Sequence, residues 1–220
     1  MQPILIILFA TAAGVPLGLW LRHNLATLSY RTEDEQDLPD PGPRWWVVWT
    51  CVLAVGGLAT AASLSHDPLV YLPLVPLAIT GPWIAAVDFD VLRIPNRVLA
   101  PIAVTTLVAV VCLAAVTEDW PPLVVDGMAA LLAGGVFAAA HCATKGGVGF
   151  GDVKFAAAIG LALGPLGLGA VCLSMFVGLA AALVWAVATR RSNPIPLGPW
   201  LLLGSWTSAL MTAAATGHVS

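Results

Sequence analysis

The run FAAAIGLALGPLGLGAVCLSMFVGLAAALVWAVA, residues 155–188, carries no charged side chain and is too long to be one membrane helix. About 20 apolar residues cross the ~30 Å hydrocarbon core as a helix, and this run has 34. Gly164-Pro165-Leu166-Gly167 lies inside it, and glycine and proline together punctuate a chain into turns. Two spans are therefore expected, Val153–Leu163, which is short, and Leu166–Thr189. Working outward, further apolar runs cover Gln2–Leu21, Trp45–Leu64, Leu69–Val87, Val98–Val116, Leu123–Cys142 and Leu197–Ala215. The expected fold class is an all-α polytopic integral membrane protein of about eight transmembrane helices, a single domain over residues 1–220. Pro82 falls inside the third span and should bend it without ending it.

Composition excludes a soluble domain. Charged residues make up 10% and hydrophobic ones 59% of the chain, against roughly 25% charged in soluble domains, and mean hydropathy is +0.92. The lipid bilayer is the expected surrounding; nucleic acid is not an expected partner. The first apolar run lacks a basic leader region and a small-residue cleavage site, so it reads as a retained helix. The four cysteines (Cys51, Cys112, Cys142, Cys172) stand alone in apolar runs without a C-x-x-C pair, and read as small buried hydrophobes. His23, His66, His141 and His218 form no ligand pattern, so no metal and no cofactor are expected.

Charge placement gives the orientation. With eight spans and the N-terminus outside, all nine Lys and Arg fall on one side: Arg22, Arg31, Arg44, Arg93, Arg97, Lys145, Lys154, Arg190 and Arg191. Asp67, Glu118, Asp119 and Asp126 fall on the other. Basic loops stay in the cytoplasm, which puts both termini outside. Trp45, Trp46, Trp49 and Trp185 fall near the inner boundary, and Trp83, Trp120 and Trp206 in the outer half. Residues 23–44 form the one sizeable hydrophilic stretch, with Glu33, Asp34, Glu35, Asp37 and Asp40. It is too short for an independent domain, and reads as a connector or as an acidic landing surface for a basic segment.

On the cytoplasmic side, two acids sit in short motifs. Asp88 ends the third span in A-V-D-F-D-V-L-R-I-P-N, and Asp152 opens the sixth in G-V-G-F-G-D-V-K. Ionisable groups at a membrane edge are costly and mark chemistry or transport. An acid at a helix C-terminus faces the negative end of the dipole, so Asp88 does not serve its own helix. Asp90, two residues on, competes with it. Asp152 could serve as a helix N-cap, but three glycines among residues 147–151 allow another chain to approach the backbone closely.

These motifs resemble the prepilin peptidase family, the type IV leader peptidases among the GxGD membrane aspartic proteases. In that family the first catalytic Asp lies seven residues before the Pro of an [I/L]-P-[D/N] motif, as Asp88 does before Pro95 in Ile94-Pro95-Asn96. The second ends G-x-G-D followed by x-K, matched by Gly149, Gly151, Asp152 and Lys154. A later P-x-G-P-[F/W] motif matches Pro196-Leu197-Gly198-Pro199-Trp200. The likeness runs from about Gly81 to Leu203. It implies an aspartic endopeptidase of the bacterial inner membrane with catalytic Asp88 and Asp152, supported by Asp90, Pro95, Asn96, Gly149, Gly151 and Lys154. Its substrate would be a prepilin or pseudopilin with a short basic leader, a Gly before the cut and an apolar helix after it. Longer members also methylate the new N-terminus and often carry two C-x-x-C pairs after the first helix; residues 23–44 contain no cysteine, so methylation is not expected. Two other classes compete: an ion-coupled transporter using the aspartates as a relay, which puts acids near the bilayer midplane, and a structural assembly subunit, which leaves the motifs unexplained.

Overall fold

A computed structural model describes residues 2–145, 147–190 and 195–217. Among these, every regular element is helical: α1 (Gln2–Ala26), α2 (Trp46–Leu64), α3 (Val75–Val91), α4 (Asn96–Thr117), α5 (Pro122–Ala143), α6 (Phe150–Leu163), α7 (Leu168–Thr189) and α8 (Gly198–Gly217). Six helical stretches are long and apolar enough to cross a membrane: α1, α2, α4, α5, α7, and α3 with the 3-10 turns Pro68–Leu74 that lead into it. The other two depart for identifiable reasons. α6 has 14 residues, about 21 Å at ~1.5 Å per residue, and α8 dilutes its apolar run with Ser205, Thr207 and Ser208.

The predicted break between α6 and α7 is a 3-10 turn over Gly164–Leu166, closed by Gly167 at φ 91. That left-handed backbone suits a residue without a Cβ. α3 runs through Pro82 unbroken. α6 lies at the centre. Phe155, Ala156, Ile159, Ala162 and Leu163 are all buried, in one cluster with Leu74, Leu77 and Ile84 before and within α3, Ile102 of α4 and Leu201 of α8. α1 lies at the edge, close against α2: a methyl on Gly14 would come 2.6 Å from the Val52 Cα, and one on Gly18 2.6 Å from the Val48 Cα. Small residues at such contacts let helices pack without a hydrophobic drive.

Two expectations need correcting. Only Cys51 is buried; Cys112, Cys142 and Cys172 are exposed on the outside of the bundle, where a thiol sits as easily against lipid as in a core. Trp83 packs edge-on against Tyr30 of the 27–45 connection, with ring centroids 5.9 Å apart, so it belongs with the end of the bundle that holds this connection, not the opposite half. Asp126, which the sequence places inside the fifth span, is 3% exposed within α5, beside Gly164. Arg191 and His218 lie outside the described residues.

Candidate active site

Contacts gather the two aspartate motifs at one end of the bundle. α3 ends where Leu92 turns left-handed, at φ 52, and donates its N–H to the Asp88 carbonyl at 3.0 Å. This leaves the Asp88 side chain in the last turn, 2% exposed. Its Oδ2 accepts the N–H of Gly198, the first residue of α8, at 2.7 Å. An acid misplaced against the dipole of its own helix is thus held by the positive N-terminus of another. Gly198 leaves little room for a side chain, because a Cβ there would stand 3.0 Å from the same Oδ2 and the carboxylate would have to shift.

Asp152 is the third residue of α6, and Gly149 (φ −65, ψ 142) takes the N-cap position instead. The Asp152 carboxylate turns back toward Gly149, its Oδ2 lying 3.0 Å from where a Cβ on that glycine would stand. Motif then locks onto motif. Pro95 is extended, at ψ 134, and caps α4, so that Asn96 Oδ1 accepts a hydrogen bond from Lys154 Nζ at 3.0 Å. Lys154 also lies 4.9 Å from the Phe150 ring centroid. Gly151 packs on buried Ile94, where a Cβ would meet the Ile94 carbonyl oxygen at 3.1 Å. His141 Nδ1 donates to the Val148 carbonyl at 2.6 Å and ties the glycine loop to α5. Through these ties Asp152, near the start of α6, comes to the same end of the bundle as Asp88 in the last turn of α3.

Asp90 is engaged elsewhere. Arg31 grips it through Nη2 to Oδ1 at 2.8 Å and Nε to Oδ2 at 2.9 Å, Arg44 Nη2 approaches Oδ2 at 3.2 Å, and the Tyr30 hydroxyl donates to the same oxygen. Glu35 is paired with Arg93 through two bonds of 2.6 Å. The Arg93 guanidinium holds the Glu35 carboxyl down at about 2, and Glu35 in return raises Arg93. Burial is the main cause that pushes the Tyr30 hydroxyl up, with Asp90 adding to it. The 27–45 connection is therefore a strap pinned onto the end of α3, and four of its five acids (Glu33, Asp34, Asp37, Asp40) remain exposed.

Sequence reasoning singled out both aspartates but missed Gly198, Tyr30, Arg31 and Arg44. For Gly198 the signal was present, since it is the glycine of the late P-x-G-P-W motif. Nothing in the sequence pairs residue 31 with residue 90. Among the described residues, no three His, Cys, Asp or Glu come together as a metal site.

A family model, the type IV leader peptidase family, matches residues 76–188 and so takes in Asp88, Asn96, Asp152 and Lys154. The chain belongs to the type IV leader peptidase family. It is 32% identical over 166 residues, 72% of its own length, to the prepilin leader peptidase/N-methyltransferase of Bacillus subtilis (strain 168). The aligned region takes in 61% of that relative, so the chain spans about three fifths of its length. No solved structure matches. Gly198 lies beyond the stretch matched by the leader peptidase model, yet it touches a carboxylate within it.

Proposed function

We propose that this protein is an aspartic endopeptidase that removes the short basic leader of prepilin-like precursors, type IV pilins or pseudopilins, at the cytoplasmic face of the bacterial inner membrane. Asp88 and Asp152 are its catalytic pair. The observation that carries the proposal is the interlock of the two motifs through Lys154–Asn96 and Gly151–Ile94, which supports a reading in which the two acids act as a pair. Two carboxylates at short range share one proton. The ionised member takes a proton from the attacking water, while the protonated member donates to the scissile carbonyl oxygen and then helps protonate the leaving amine. Water must reach the site, and the end of the bundle is where it can.

Arg31, Arg44, Arg93 and Lys154 at the same end support the cytoplasmic assignment through the basic-loop rule. The transporter reading expects its acids midway along the helices; Asp88 closes α3 and Asp152 opens α6, which favours the peptidase. The proposal covers peptide cleavage alone: methyl transfer is part of the relative's name, and residues 23–44 supply no cysteine pair. Coexpression with a prepilin, read as loss of its leader on a gel, tests the reading. Asp88→Asn and Asp152→Asn should each abolish cleavage while the protein still accumulates; substantial cleavage by either variant overturns the assignment.

A further inference from the structure

An apolar groove of about 750 Å³ runs along the outside of the bundle between α2, α3 and α8. On α3 its wall is Gly81, Pro82, Ala85 and Phe89; on α8 it extends from Pro199 to Leu210, and on α2 from Trp46 to Thr60. At ~1.5 Å per residue the α3 wall is about 12 Å long and the α8 and α2 walls about 16–21 Å, enough for roughly eight to twelve residues of a helix. Four threonines line it, but each hydroxyl is already bonded to a carbonyl of its own helix: Thr11 to Ile7, Thr50 to Val47, Thr60 to Gly56 and Thr207 to Leu203. The groove therefore asks nothing polar of its occupant along its length.

Its end is different. Phe89 directly follows Asp88, and Pro199 and Trp200 directly follow Gly198, whose N–H holds Asp88. The Phe89 ring is flanked there by Trp46 at 5.8 Å and Trp200 at 6.4 Å. Buried within this aromatic end, Trp200 Nε1 has no hydrogen-bond partner among the described residues. A peptide must leave its helical conformation to be attacked, and an unwound helix end exposes carbonyl oxygens without partners. The indole N–H of Trp200, two residues past the glycine that holds Asp88, suits one of them.

We propose that this groove seats the apolar helix of the substrate, the segment after the cut, and that Trp200 receives its unwound first turn. The inference rests on the peptidase reading above and adds the path by which the substrate enters. Gly57 lines the groove, and a Cβ there meets nothing within 4 Å, so a large side chain can fill the space without disturbing the bundle. Leu203 lines it from α8 and is 46% exposed.

Purified wild type, Gly57→Trp and Leu203→Trp would be given two substrates: a full precursor in liposomes, and a short peptide across the cut that lacks the helix. The ratio of kcat/KM for precursor to that for peptide should fall at least tenfold in both variants, through KM. On wild type, a peptide carrying only the apolar helix should compete with the precursor but not with the short peptide. An unchanged ratio, or no competition, overturns the proposal and leaves the groove to lipid. Wild type that cleaves neither substrate would instead overturn the peptidase reading itself.

Discussion

Replacing Gly198 by Ala adds one methyl group 3.0 Å from Asp88 Oδ2 and 3.5 Å from its Cβ and Cγ. The carboxylate is 2% exposed and has little space in which to withdraw, so it must shift by a few tenths of an ångström and lengthen the 2.7 Å bond from the Gly198 N–H. A hydrogen bond to a charged group contributes about 1.5–3 kcal/mol. At ~1.36 kcal/mol per tenfold in rate, full loss of the bond lowers kcat by about tenfold to a hundredfold. Stability should fall modestly, because loss of the bond costs about 1.5–3 kcal/mol and the helix preference of Ala over Gly, up to ~1 kcal/mol in a helix interior, offsets only part of it. Initial rates of precursor cleavage by purified protein, beside a thermal melt, test both halves. A kcat within twofold of wild type in a variant whose Tm is maintained would refute the idea that α8 positions Asp88. A Tm lowered so far that the variant is largely unfolded at the assay temperature would show the methyl acting on the fold instead.

Asp90→Ala leaves the Arg31 and Arg44 charges without their buried partner, and breaking such a cluster costs about 3–5 kcal/mol; Tm should fall sharply while the folded fraction keeps its kcat, and an unchanged Tm contradicts this. The Glu35 carboxyl is held down at about 2 from an ordinary 4.5, so its pairing with Arg93 stabilises the strap in full above the ordinary value and loses that effect as pH falls toward about 2. Hydrogen exchange over residues 27–44 should stay slow from pH 7 to near pH 4 and quicken below; quickening already at pH 6 would contradict the assignment. Neutralising Glu33, Asp34, Asp37 and Asp40 together should raise KM for a basic-leader precursor a few-fold at low salt with kcat unchanged, since exposed charges act weakly and are screened; an unchanged KM returns the strap to a structural part only.

The eight helices were legible in the sequence because a ~20-residue apolar requirement leaves few choices, although among the described residues six helical stretches, not eight, are long and apolar enough to cross a membrane. The Gly164–Gly167 break then separated α6 from α7, and helix ends fell within a few residues of the expected ones. That α6 would be short could be read from its apolar run; that it would be enclosed on all sides could not, since a membrane helix is apolar whether it meets lipid or protein. The cysteines were misjudged for the same reason. Asp88 and Asp152 were visible as costly charges in glycine- and proline-marked motifs. Asp90 was not separable from Asp88 until Arg31 and Arg44 were found on it, because the pairing of residues 59 apart is set by how helices pack and not by local pattern. The late glycine motif was visible, but its purpose lay in a bond spanning 110 residues.

That long bond sets an order of events during synthesis. Arg31 can find Asp90 once three helices have left the ribosome, and Asp152 can reach the neighbourhood of Asp88 once six have. The N–H that orients Asp88 belongs to α8, made later than either acid. A nascent chain stalled before α8 already carries both acids, yet nothing at that stage aims the first of them. Under the proposed peptidase function, competence to cut arrives only with α8, after both acids are already in the bilayer.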